Sequence, residues 1–173
     1  MPNMRPFLPI TLLALIILAC GQSAPTAQVA PPSAELTSSD DLCTWFFQTQ
    51  ALRTQRLSGL NEFTNWSLTH DFDSLTRDDV GEMVAILVRY QPYQGDFIVG
   101  WKALGPHPQA REFWELELES VQLRIESINA MAAALDRNDA AEFSRAWEMF
   151  AQSQSVGNRG ESAMLAVRAQ CVP

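Results

Sequence analysis

Between Trp114 and Leu135 the apolar residues Trp114, Leu118, Val121, Ile125, Ile128, Ala132 and Leu135 follow one another at alternating spacings of four and three. A stripe with that period runs along one side of an α-helix and has to be buried against other helices. Glu115, Glu119, Gln122, Glu126 and Asn129 repeat the spacing on a second side that suits water. The pattern predicts a long bundle helix of about 45 Å at 1.5 Å per residue. Within it, Trp114 to Glu119 alternates apolar and acidic residues as a strand would, but so short an island yields to the longer period around it. Pro108 suits the first turn of such a helix.

The rest of the chain beyond residue 40 reads the same way. A first helix is predicted from Asp40 or Asp41 to between Trp66 and His70, capped by Ser38 or Ser39, with Leu42, Trp45, Phe46, Leu52, Leu60 and Phe63 as a ragged stripe that Gly59 weakens or bends. His70 to Ser74 connects. Thr76-Arg77-Asp78-Asp79 resembles a capping box opening a second helix. Pro92 lacks an N–H, so that helix should kink or break there before resuming through Phe97, Ile98, Trp101 and Leu104 and ending at Gly105-Pro106. In the fourth helix Phe143, Ala146, Phe150, Ser153, Gly157, Gly160, Met164, Val167 and Cys171 keep the three-four spacing. A break at Gly157 to Gly160 is the alternative to a continuous helix, and the preserved register favours continuity. The expectation is an all-α, antiparallel up-down-up-down four-helix bundle over residues 40–173.

The amino-terminal stretch is of another kind. Met1 to Arg5 is positively charged, and Phe7 to Ala19 is an uncharged run of about 13 residues, short of the roughly 20 that span a bilayer. Ile17-Leu18-Ala19-Cys20 resembles the lipobox of bacterial lipoprotein precursors. The resemblance implies that residues 1–19 are a cleaved signal peptide and that Cys20 carries a diacylglyceryl group, usually with an acylated amino terminus. It further implies mooring at the extracytoplasmic face of the cell membrane, or in the outer membrane, where Gly21 in place of aspartate would direct it in a diderm cell. Two or more acyl chains hold a protein stably without a spanning segment. Residues 20–39 then form a lipidated tether rich in Ala, Ser, Thr and Pro, with too little apolar surface to fold. Pro25, Pro31 and Pro32 extend it, letting the domain stand up to roughly 50 Å from the lipid.

With Cys20 so used, Cys43 and Cys171 remain as an even pair in an exported protein. The up-down-up-down topology places the start of the first helix beside the end of the fourth, which predicts a Cys43–Cys171 disulfide. Two buried free thiols are the alternative. The net charge of −8 and the single lysine, Lys102, provide no basic surface for nucleic acid or anionic lipid headgroups.

Candidate sites are sparse. His70, Asp71 and Asp73 carry metal-ligand chemistry, but Leu75 and Thr76 stand where a calcium loop needs an oxygen and a glycine. His107 falls in the opposite connection. No Glu-x-x-His, Cys-x-x-Cys-His or His-Glu-x-x-His occurs, so neither metal, cofactor nor enzymatic activity is expected. Arg89 and Arg124 sit among apolar residues, where they either grip an acidic ligand or pair with a glutamate such as Glu117 or Glu126. Trp101, Trp114 and Trp147, with Trp45 and Trp66, either line a pocket or fill the core. The leading expectation is a lipid-anchored, non-enzymatic bundle that binds a protein or envelope component or serves structurally. The alternative is a receptor for a small apolar or acidic ligand in a tryptophan-lined interior, using Arg89 or Arg124. An apolar cavity edged by an arginine would favour the second, and an apolar patch on an outer helix face the first.

Overall fold

The computed structural model describes residues 41–71 and 74–172. The leader, Cys20 and the tether, together with Asp73, lie outside the described residues. Within them the chain is all helical, five α-helices packed together with no strand. They are α1 (Leu42–Ser58), α2 (Asn61–Thr69), α3 (Arg77–Leu104), α4 (Arg111–Asp136) and α5 (Ala140–Cys171), with a short 3-10 turn, Pro108–Ala110, leading into α4.

Local chemistry explains most of the boundaries. The Asp41 carboxylate accepts the Thr44 N–H at 2.7 Å and starts α1. Thr76 and Asp79 form the expected capping box at the head of α3, each side chain accepting the other's backbone N–H. Gly105 ends α3 with φ +69°, a conformation that glycine adopts without steric cost. His107 accepts the Gln109 N–H on its Nδ1 and so turns the chain into the Pro108 turn. Asp139 caps α5 by accepting the Glu142 N–H at 2.9 Å. At 1.5 Å per residue the 26 residues of α4 span about 39 Å, the helix starting at Arg111 rather than at Pro108.

Two features differ from the sequence expectation. Pro92 does not break α3, which is continuous over 28 residues. Val88, whose carbonyl loses its amide partner to Pro92, lies on an exposed face along with the proline, where the unmade bond costs least. The first helix, by contrast, does divide. Gly59 caps α1, its N–H reaching the carbonyls of Arg56 and Leu57, and α2 starts afresh at Asn61. On α5, as the preserved register predicts, the helix runs through both Gly157 and Gly160.

Sterics reserve position 59 for glycine. A Cβ built on Gly59 would fall 2.5 Å from Cδ2 of Tyr93 and 2.6 Å from Cδ2 of Tyr90. Tyr93 is exposed and can swing away, whereas Tyr90 is only 2% exposed and has nowhere to go. The Gly59 backbone is right-handed helical at φ −75°, so on propensity alone alanine would gain about 1 kcal/mol. Overpacking against Tyr90 outweighs that, and Gly59→Ala is expected to lose about 1–2 kcal/mol. A urea midpoint at or above wild type would show that Tyr90 yields.

Two apolar clusters form the core. One gathers Leu42, Trp45, Phe46, Phe97, Trp101, Leu104, Phe113, Met164 and Val167 around the Cys43–Cys171 end. The other gathers Phe63, Trp66, Met83, Val84, Leu87, Ile128, Met131, Ala146 and Phe150. Between them, along every long arm of the chain, the buried positions turn polar. These are Thr49 and Arg56 on α1, Gln94 on α3, Glu117, Ser120 and Ser127 on α4, and Ser153 on α5. Ser120 donates to the Ser153 carbonyl at 2.9 Å. A Cβ on Gly157 would meet the Ser120 oxygen at 3.0 Å, which is how closely α4 and α5 approach.

Candidate functional site

The polar layer contains the densest chemistry among the described residues. From α1, Arg56 brings Nη1 to 2.9 Å from Glu117 Oε1 on α4, and Arg53 brings Nε to 3.5 Å from the same oxygen. Glu117 is 3% exposed and Arg56 7%. These contacts are ionic without being well aligned, for Glu117 Oε1 and the Nε atoms of Arg53 and Arg56 make no directed hydrogen bond. Arg56 lies over the Phe97 ring at 4.7 Å and Arg53 over Phe113 at 5.8 Å, so each guanidinium also has an aromatic face beside it. Arg53 reaches outward as well, donating to Glu161 and to the Met164 sulfur on α5.

Arg124 completes the layer from α4, seven residues and two turns beyond Glu117. Burial pushes its guanidinium down to about 10, and the charge of Arg56 pushes in the same direction, while Tyr90 and Glu117 oppose both. Burial likewise raises the Tyr90 phenol, against the pull of Arg56 and Arg124. The Tyr90 hydroxyl, both amide atoms of Gln94 and the Arg124 Nε are shut from water without a hydrogen-bond partner. Buried polar atoms are nearly always satisfied, so orphans gathered in one layer mark it out.

The residues predicted from sequence are not gathered there, Arg124 excepted. Arg89 is exposed and paired with Glu62 of α2, whose carboxyl is held down by the hydrogen bonds it accepts from that guanidinium. Trp101 and Trp114 are locked to each other, each indole N–H donating to the other's carbonyl, at 3.0 and 3.1 Å. Trp147 stacks on Phe150 at 5.6 Å in the other cluster. His70 stacks on Trp66 at 4.2 Å and its Nδ1 donates to the Trp66 carbonyl at 2.8 Å. His107 is buried near Trp45, 6.0 Å away between rings. No group of three metal-ligating side chains occurs among the described residues. Arg53, Arg56, Tyr90 and Gln94 were missed because each looks like an ordinary surface or core residue in its own helix. The signal that finds them is their common level with Glu117 across α1, α3 and α4, which needs the fold.

A second feature lies at the end stitched by the Cys43–Cys171 disulfide, whose Cα atoms are 5.1 Å apart. There α1 and α5 leave an open groove of about 320 Å³ lined by Phe46, Phe47, Gln50, Met164, Arg168 and Val172. None of the five tryptophans lines it. Phe47 is 55% exposed at its rim. No described helix is long and apolar enough to cross a membrane. Compared with protein families, with curated proteins and with solved structures, the chain matches none.

Proposed function

We propose that the chain is a lipid-anchored extracytoplasmic module that acts by binding a protein or envelope component rather than by catalysis. In this reading the helices form an antiparallel up-down-up-down four-helix bundle, with α1 and α2 sharing the first arm. The observation that carries the address is the Cys43–Cys171 disulfide, because such bonds persist outside the reducing cytosol. The lipobox resemblance of Ile17 to Cys20 supplies the anchor, and the tether joins the described domain at Asp41, the same end as the groove. A partner at the membrane face would meet Phe47 and Val172, an aromatic and an aliphatic side chain beside the charge of Arg168. That mixture of apolar centre and arginine rim is typical of protein docking surfaces.

Two measurements test this. In its own host, the full-length protein should incorporate labelled palmitate and partition with membranes, and Cys20→Ser should abolish both. A photo-crosslinker at position 47 should give an envelope adduct that one at Val99, exposed on α3, does not. Equal labelling of wild type and Cys20→Ser overturns the anchor, and the same adducts from both positions overturn the docking face.

A further inference from the structure

The outer side of α3 keeps a helical period of its own. Met83, Leu87, Tyr90, Gln94, Phe97 and Trp101 turn inward, where α3 packs on α1, α2 and α4. On the opposite side Gly81, Ala85, Val88, Pro92, Gly95 and Val99 follow at spacings of four, three, four, three and four. None of the six is charged or buried. Val99 is 71% exposed, and a Cβ built on Gly81 or Gly95 would meet nothing within 4 Å. Three residues beyond each end the series closes on Asp78 and Lys102, both exposed and in no ion pair among the described residues. An uncharged face with this period, continuous along an outer helix, suits a second helix laid against it.

We propose that the helix it takes is α3 of a second copy of this chain, running antiparallel. The spacing of the seam reads the same in both directions, and its two ends carry opposite charges. A two-fold pairing is therefore self-complementary. Gly81 of one copy faces Val99 of the other, Ala85 faces Gly95, and Val88 faces Pro92. Each glycine thus has a side chain to fill the space beside it. At both ends of the seam, about 36 Å apart at 1.5 Å per residue, Asp78 meets Lys102. A parallel pair would instead set Asp78 on Asp78, Lys102 on Lys102 and glycine on glycine, repelling at the ends and leaving voids between.

Differently tagged copies of the full-length protein, co-expressed in its own host and oxidised in place, test the register. Gly81→Cys in one copy and Val99→Cys in the other should give a two-tag disulfide product that the wild-type pair lacks. Val99→Cys in both copies should not, because antiparallel pairing holds those positions about 27 Å apart. Both substitutions fall in open surface, so the fold is kept. Asp78→Lys in both copies should lower the product about fivefold by setting like charges against each other, and adding Lys102→Asp should restore it. Absence of the 81–99 product, a 99–99 product of equal yield, or a charge reversal that recovers nothing each overturns the proposal. The product is a dimer of this chain, so a groove at position 47 that takes no partner leaves the result unchanged.

Discussion

Replacing Glu117 by glutamine is expected to destabilise the fold by about 3–5 kcal/mol, because removing one partner of a buried ion pair leaves the other uncompensated. The change is nearly isosteric, so the effect is electrostatic and not a cavity. Arg56 is buried 2.9 Å from the lost charge, and Arg53 and Arg124 raise the local positive potential further. The same argument predicts the rescue. Converting Arg56 and Glu117 together to methionine removes both charges and keeps the volume, and such replacements are often neutral or stabilising. Urea denaturation with the disulfide intact measures both, and the midpoint should fall in Glu117→Gln with an unchanged slope. Glu62→Gln, which breaks the exposed pair with Arg89, serves as the control and should move it little. A loss below about 1 kcal/mol in Glu117→Gln would place its carboxylate outside the charge balance of the layer.

The stripe that gives α4 away in the sequence is not the centre of its buried face. The apolar series Trp114, Leu118, Val121, Ile125, Ile128, Ala132, Leu135 is real, but apart from Val121 and Ile128 its members are only partly buried. The deepest column lies one residue earlier, through Phe113, Glu117, Ser120, Ser127, Met131 and Ala134. Hydrophobic periodicity finds the apolar edge of a face, and it passes over a column whose members are charged or hydroxylated. Only packing on α5, where Ser120 bonds the Ser153 carbonyl and Gly157 brings the backbone near, makes that column interior. The α5 stripe was legible because its small residues still kept the period. The Thr76 capping box was legible because its donors and acceptors are neighbours in sequence. The weak point at Gly59 was legible in the glycine itself, but the crowding that excludes a larger residue there was not, because the rings of Tyr90 and Tyr93 arrive from some thirty residues away. The charged layer escaped for the same reason, since an arginine's partner is set by helix register between arms and not within one.

Opening the Cys43–Cys171 bond, by reduction or as Cys43→Ser with Cys171→Ser, is expected to cost about 3–5 kcal/mol. The bond spans 128 residues of sequence, nearly the whole domain, and cross-linking so long a loop removes about 5 kcal/mol of unfolded-chain entropy in the polymer account. Little of this resides in native contacts, because both cysteines are only half-buried. Trp45 and Phe46, next to Cys43, and Val167, one turn before Cys171, hold the two chain ends in the apolar cluster on their own. The native near-ultraviolet spectrum should therefore survive reduction, with the urea midpoint lower and the slope steeper as the freed chain expands on unfolding. A lower midpoint with an unchanged slope would locate the loss in the folded state instead. A midpoint that does not move would mean that the helices at this end, not the covalent closure, set the stability of the domain.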